Sequence, residues 1–178
     1  WYLGRFVGIT DRADTYRSDL RKGVAWDVNY LGQITGRELK FGLGFLYQGS
    51  AYKNTHDTAA DKIYMHYMAP QVALTMVQKH YQLQFSGGIG YQLYRDKSTV
   101  YDKPRKVTMS KFAGNLSLSG EYFLSSHWGA SARVNWLASS SESYSVKYHN
   151  VEWDVESPRA GSGYFGQLSL LFGLNYHF

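Results

Sequence analysis

The stretch that decides the fold is the last part of the chain, Leu168-Ser-Leu-Leu-Phe-Gly-Leu-Asn-Tyr-His-Phe178. From Leu168 onward, every second position carries a large apolar side chain. The residues between them are Ser169, Leu171, Gly173, Asn175 and His177. Successive side chains of a β-strand point to opposite faces, so this period of two predicts a strand with one apolar face and one mostly small or polar face.

The same alternation recurs along the chain. It is clearest from Tyr81 to Tyr94, where tyrosine, leucine, phenylalanine and isoleucine alternate with glutamine, serine and glycine. Pro70 interrupts one segment and removes a backbone donor, which predicts a local irregularity there. The pattern predicts eight strands in one domain, residues 1–178. Besides the terminal strand and Tyr81–Tyr94, the predicted strands are Tyr2–Thr10, Val24–Tyr30, Leu39–Tyr47, Tyr64–Val77, Leu116–Tyr122 and Trp128–Trp136.

The connections between these strands alternate in length. The odd connections are long, polar and charged, and they comprise Asp11–Lys22, Gly49–Lys62, Arg95–Lys106 and Ser139–Gly161. The even connections are tight turns, and they comprise Gly32–Arg37, Gln78–His80 and Leu124–His127. In an up-and-down barrel the two kinds emerge at opposite rims. The alternation therefore predicts long loops at one rim, with the short turns and both termini at the other.

Barrel size indicates which face points outward. An eight-stranded barrel has an interior just wide enough for side chains to fill, so faces rich in Trp, Tyr, Phe and Leu would overfill it. We therefore expect the apolar faces to contact lipid, and the fold class is all-β, an eight-stranded antiparallel up-and-down transmembrane β-barrel. The 16 Tyr, 9 Phe and 5 Trp exclude a disordered or coiled-coil chain, and the lack of cysteine excludes disulfides and thiolate metal sites.

The terminal strand also carries a family resemblance. Its ending, Leu174-Asn-Tyr176-His-Phe178, resembles the C-terminal signature of Gram-negative outer-membrane proteins. As an architecture the chain resembles the small OmpX- and OmpA-type barrels, and barrels described only as outer membrane beta-barrels in Bacteroidetes. The resemblance implies an outer-membrane location in a Gram-negative bacterium, periplasmic termini, and an assembly signal at Tyr176 and Phe178 that the barrel-assembly machinery reads. The segment that starts at Trp1 has no basic region followed by an apolar one, so we expect either that the protein is not exported or that its signal peptide has been removed.

Charged residues are predicted inside the barrel as well. Buried charges are tolerable only when they are paired, so the simplest interpretation is an ion-pair network that fills the lumen. The alternative is a gated path for protons or small ions through the same groups. The residues assigned to the lumen are Arg5, Asp27, Glu38, Lys40, Glu121 and Arg133.

The last long connection has an alternation of its own. Apolar and aromatic residues alternate with polar and acidic ones on both sides of a His149-Asn150 corner, which predicts a hairpin that extends beyond the membrane. Such an edge could receive a partner's strand or fold over the neighbouring loops. The residues assigned to this surface are Tyr144, Val146, Tyr148, Val151 and Trp153.

Charge suggests lipid rather than nucleic acid as a partner. The net charge is +5, but the positive groups fall on separate predicted loops with no stacking platform, so we expect no nucleic acid. The connection Arg95–Lys106 carries a net +3 and Ser139–Gly161 a net −2, so these neighbours could pair with each other. Membrane lipids and lipopolysaccharide phosphates are the expected contacts, with another outer-membrane protein as a candidate partner.

No arrangement of residues predicts catalysis. His66 is expected to face lipid, and its His-Tyr-Met-Ala-Pro context lacks the His-x-Ser of deacylase barrels; Ser126-His127 belongs to a short turn. The acidic residues Glu152 and Asp154 are expected to be solvated rather than to bind calcium. We therefore expect no catalytic residue, metal or cofactor.

The sequence thus favours a non-enzymatic structural or interaction protein. It would be an accessory subunit of an outer-membrane complex or a binder of a surface ligand. The alternatives are a lipid-A-modifying enzyme and a narrow pore.

Overall fold

The computed structural model describes residues 2–14, 22–35, 38–56, 59–100, 103–141, 143–148, 151–156 and 163–178. Within these ranges, no helix is long and apolar enough to cross a membrane. The regular elements are strands: β1 (Tyr2–Asp14), β2 (Lys22–Thr35), β3 (Leu39–His56), β4 (Ala59–Val77), β5 (Tyr81–Val100), β6 (Lys103–Phe123), β7 (Trp128–Ser141), β8 (Ser143–Tyr148), β9 (Val151–Glu156) and β10 (Gly163–His177).

Eight of these strands close into a barrel. Each of β1 to β7 pairs antiparallel with its neighbour in the chain, β7 pairs with β10, and β10 pairs with β1. The closing ladder runs from Tyr2 opposite His177 to Asp14 opposite Phe165. The predicted fold class is therefore confirmed, with β8 and β9 added to the sheet beside β6.

The short connections lie at one rim, together with both ends of the described chain. Here Leu39 pairs with Met76, Tyr81 with Tyr122, and Trp128 with Tyr176. We call this end the short-turn rim and the opposite end the far rim.

Two of the predicted long loops are strands instead. β3 and β4 stay paired as far as His56 opposite Ala59, and β5 and β6 as far as Val100 opposite Lys103. Only two residues separate the strands of each pair. The alternation of apolar residues fades in these extensions because strand pairing needs only backbone hydrogen bonds, and an outward face beyond the membrane has no need to be apolar.

In the half of the barrel next to the short-turn rim, the apolar side chains point outward, as predicted. Outward residues such as Val72 and Phe85 are about half exposed, whereas inward residues of the same two strands, such as Thr75 and Ser86, are buried. This is the pattern of a wall that faces hydrocarbon.

Towards the far rim the polarity of the two faces is reversed. Lys53 and Lys62 point outward there, while their neighbours Tyr52 and Ile63 are buried inside. The inward residues include an apolar cluster of Tyr52, Ile63, Met65, Tyr94, Val107, Met109 and Phe165, and Asp96, Ser98 and Lys111 are buried on the same inward faces. The prediction of a polar lumen therefore holds only in part here, because strands surrounded by water bury apolar residues as soluble sheets do.

Pro70 interrupts the ladder between β4 and β5, which confirms the predicted irregularity. Pairing is found up to Met68 opposite Tyr91 and resumes at Val72 opposite Gly87. From the inside, the Tyr67 hydroxyl lies 3.2 Å from the carbonyl oxygen of Gly88 and donates to it. A side chain thus satisfies a backbone acceptor at the point where the ladder is interrupted.

Candidate functional site

The six charged residues predicted in the lumen do not form one network. Three of them, Asp27, Glu121 and Arg133, are buried inside, with exposed fractions of 1%, 5% and 3%. Lys40 is half-buried near the short-turn rim, and Glu38 is exposed just before β3 begins.

Arg5 was assigned to the wrong face. It points outward together with Leu3, Val7 and Ile9, because Phe6 rather than Arg5 fills the lumen at this level of β1. When the inward residues of a strand include an aromatic side chain, neither face is clearly polar. The sequence alone then does not show which alternate residues point into the lumen.

Asp27 and Arg133 form a buried ion pair. Arg133 Nη1 donates to both carboxylate oxygens of Asp27, at 3.2 Å and 3.1 Å. The guanidinium carbon also lies 4.0 Å from the ring centroid of Phe6. Because the two charges compensate each other, they can remain inside the barrel away from water.

Glu121 is the centre of a second group near the short-turn rim. The side-chain amides of Gln82 and Asn175 donate to Oε2, each at 2.5 Å, and His177 Nε2 lies 2.6 Å from Oε1. A Cβ at Gly129 would lie 1.8 Å from Oε1, so any other residue would require the carboxylate to leave this hydrogen-bonded position. The sequence analysis placed His177 on the lumen face but missed this cluster, although the register sets Gln82 opposite Glu121.

Amide side chains cross the middle of the lumen. Asn135 donates to Gln48 at 2.5 Å, Asn115 to Asn135 at 3.1 Å, and Gln71 to Asn115 at 2.8 Å. Beside this chain of hydrogen bonds lies a cavity of about 10 Å³, roughly the space of one water molecule. The described side chains therefore leave little space at this level of the barrel.

The predicted hairpin is present as β8 and β9. Arg105 to Thr108 of β6 pair with β8, and β8 pairs along its length with β9. The backbone places Tyr144, Val146 and Tyr148 on β8 and Val151 and Trp153 on β9, while their side chains and the corner at 149–150 lie outside the described residues. Among the described strands, β9 pairs only with β8, so it is the end of the sheet.

Aromatic rings group around the predicted assembly signal. The ring of Tyr176 lies edge-on to Phe178 at 5.0 Å and to Trp128 at 5.1 Å. Phe178 is 75% exposed. These contacts place both residues at the short-turn rim, and their role in assembly stays a prediction.

The histidines considered for catalysis have simple partners. Ser126 Oγ lies 2.8 Å from His127 Nδ1 in an exposed turn, and the described residues place no carboxylate on that histidine. His66 Nδ1 is 2.8 Å from the Tyr47 hydroxyl. Neither pair has the three-member arrangement of nucleophile, base and orienting group. The described residues also contain no cluster of three or more metal-ligating side chains.

Comparison with solved structures identifies the fold. A major outer membrane protein from Thermus thermophilus matches with a TM-score of 0.65 at 12% identity, covering 98% of this chain and 99% of that one. Neisserial surface protein A matches with a TM-score of 0.58 at 12% identity, covering 99% and 96%. The outer membrane protease OmpT from Escherichia coli matches with 0.54 at 13% identity, covering 89% of this chain and 65% of OmpT.

These likenesses show the outer-membrane β-barrel fold and no more. The chain spans less than two thirds of the protease, and the three neighbours include an enzyme and a surface protein. No protein-family model matches the chain, and no curated protein matches it. Because one fold can carry many functions, the function has to be argued from this chain's own surfaces.

Proposed function

We propose that this chain is an integral protein of the outer membrane of a Gram-negative bacterium and acts there as a non-enzymatic interaction protein. The far rim faces the cell exterior, and the termini and short-turn rim face the periplasm. The protein works as an accessory subunit of an outer-membrane complex or as a binder of a surface ligand. The site of interaction is the sheet extension formed by β8 and β9.

One observation carries this proposal, namely the position of β9 at the end of a continuous sheet. β9 has backbone hydrogen-bonding groups on two sides, and the described part of the chain supplies a strand on one of them. An unpaired strand edge is a template for another strand, and proteins use such edges to bind extended segments.

The composition of the hairpin fits this role. β9 carries valine and tryptophan in alternation with Glu152, Asp154 and Glu156, and its length of 6 residues is that of an ordinary strand. A partner strand could therefore gain backbone hydrogen bonds from β9 and side-chain selectivity from its alternating residues.

The interior of the barrel supports interaction over transport. The ion pair of Asp27 with Arg133 and the amide chain from Gln48 to Gln71 occupy successive levels of the lumen. An eight-stranded barrel leaves no aqueous channel once its side chains are packed. Steady conductance in planar bilayers that changes on Arg133→Ala would instead favour the narrow pore.

The proposal is tested by site-specific photocrosslinking in intact cells. A photoreactive residue replaces Asp154 on β9, and the matched control replaces Lys79, which is exposed in the turn between β4 and β5. We expect a discrete protein adduct from position 154 and none of the same mass from position 79. Adducts with lipid alone at position 154 would contradict a protein partner at this edge.

A further inference from the structure

The strand register aligns lysines from separate parts of the sequence into one row. Lys53 pairs with Lys62, Lys62 with Lys97, and Lys97 with Lys106. We call these four residues of β3, β4, β5 and β6 the lysine row. The backbone of Lys147 on β8 continues it opposite Lys106.

This alignment corrects an expectation from the sequence. The positive groups were expected to lie on separate loops without a clustered stripe, but the loops that separate them are strands in register. Because neighbouring strands lie about 4.8 Å apart, the four lysines span roughly 15 Å around the wall. All four are exposed.

The row places positive charge on four neighbouring strands, and beyond Lys147 it ends at Glu152 of β9, which pairs with Lys147. Like charges directly opposite each other on neighbouring strands are destabilising. On the same outward face, Arg95 lies opposite Tyr64, at a distance of two residues from the row towards the membrane. Among the described outward positions of these four strands, from the lysine row down to Tyr47 and Tyr91, no residue is acidic. The described residues also hold no ion pair to any of the four lysines.

The height of the row above the hydrocarbon indicates what could neutralise it. Tyr47, Met68, Tyr91 and Phe112 pair side by side across the four strands, and they are the last such set of outward residues in which all four side chains are apolar or aromatic. On each strand the lysine of the row lies six residues nearer the far rim; Lys53, for example, is six residues from Tyr47. Six residues of a strand tilted by about 40° rise roughly 15 Å.

That height exceeds the depth of a simple phospholipid headgroup. The polar region of an ordinary bilayer is about 5–8 Å deep on each side. A lipid with a sugar headgroup that bears phosphates extends further from its acyl chains than a glycerophospholipid, and lysine side chains reach back towards the membrane to meet it. The four lysines are on the outward face of the strands, beside which such lipids stand.

We infer that the lysine row, with Arg95 and Tyr64 beneath it, binds the phosphorylated sugar headgroup of an outer-leaflet glycolipid. The phosphates accept charge-assisted hydrogen bonds from the lysines, and the aromatic level contacts the upper part of the acyl chains. This inference rests on the proposed placement of the far rim at the cell exterior, but it does not depend on the β9 edge as a binding site.

The test measures binding of defined lipids to the full chain folded in neutral detergent. The probes are a bisphosphorylated lipid A, the same lipid A without phosphates, and phosphatidylglycerol. The variant Lys62→Gln with Lys97→Gln removes two charges from the centre of the row. Its matched control, Arg5→Gln with Lys79→Gln, removes two exposed charges towards the opposite, short-turn rim.

We expect the bisphosphorylated lipid to bind the unaltered chain, and the central variant to lose at least about tenfold in affinity. The control pair should lose less than about twofold, and Lys62→Arg with Lys97→Arg should keep the binding. Retained mobility of the unheated barrel on SDS gels verifies that each variant is folded.

Three results would overturn the inference. Equal binding of the dephosphorylated lipid would show that charge is not recognised. Equal binding of phosphatidylglycerol would contradict the requirement for a raised headgroup. Sensitivity of heparin binding, but not of lipid binding, to the central variant would assign the row to a soluble polyanion instead.

Discussion

Arg133 of β7 reaches across the lumen to Asp27 of β2, two strands that are not neighbours in the barrel, and bonds both carboxylate oxygens. The pair is buried on both sides, with side-chain exposures of 3% and 0%. It therefore links opposite parts of the wall through its interior.

Removing one member of this pair should be far worse than removing both. Asp27→Ala leaves a buried guanidinium without its partner, and we expect the free energy of unfolding to fall by about 3–5 kcal/mol. Asp27→Leu combined with Arg133→Met should recover most of that loss. Urea unfolding in neutral detergent, followed by tryptophan fluorescence, measures both. Equal losses for the single and double variants would show that the pair is not coupled.

Glu121 is predicted to stabilise the barrel through its carboxylate oxygens. Gln82 and Asn175 both donate to Oε2, so Glu121→Leu leaves two amide donors unsatisfied and should lower the free energy of unfolding by about 1–3 kcal/mol in the same urea assay. Glu121→Gln can keep a carbonyl oxygen at that position and should cost less.

Gly129→Ala tests the same site without altering any charge. Its Cβ would displace the Glu121 carboxylate and should also destabilise the barrel in the same unfolding assay. If alanine at 129 were neutral, the close approach of the carboxylate to this glycine would be wrong.

The hydroxyl of Tyr67 is expected to stabilise the interrupted ladder at Pro70. It lies 3.2 Å from the Gly88 carbonyl oxygen and 3.0 Å from Asn115 Oδ1. Tyr67→Phe keeps the ring and should cost about 1–3 kcal/mol, because the Gly88 carbonyl oxygen loses its side-chain donor while Asn115 Oδ1 keeps the one from Gln71. Tyr47→Phe, whose hydroxyl faces outward to His66, is the comparison and should cost less.

The hairpin should be dispensable for the barrel itself. The contacts that close the wall come from β7, β10 and β1, whereas β8 and β9 pair with β6 and with each other. Replacing Tyr144–Glu156 by a short Gly/Ser turn should leave a barrel that still resists SDS at room temperature. If the unheated variant migrates on SDS gels as an unfolded chain, the hairpin is needed to close the barrel.

The sequence predicts the barrel well because lipid imposes a strict alternation on every spanning strand. Phe85 and Val72 mark the outward face by their chemistry alone. Arg5 was misplaced because the inward Phe6 obscures the phase of β1. The segments Gly49–Lys62 and Arg95–Lys106 were predicted as loops because the outward face beyond the membrane has no need to be apolar there.

The functional surfaces were harder to predict for a physical reason. The Glu121 cluster and the lysine row join residues from four strands each, and only the register between strands brings them together. Single-strand patterns carry no information about that register. The hairpin was predictable because its alternation and its corner are local.

The most direct test of the proposed function is a comparison of what accompanies two forms of the protein out of the native outer membrane. The full chain and the variant lacking Tyr144–Glu156 are extracted in mild detergent, captured by the same tag and quantified by mass spectrometry. We predict one companion near equal stoichiometry with the full chain and its loss from the variant. Recovery of the same companion with both forms, or of the barrel with lipid alone in both, would contradict the assignment of function to the β8 and β9 edge.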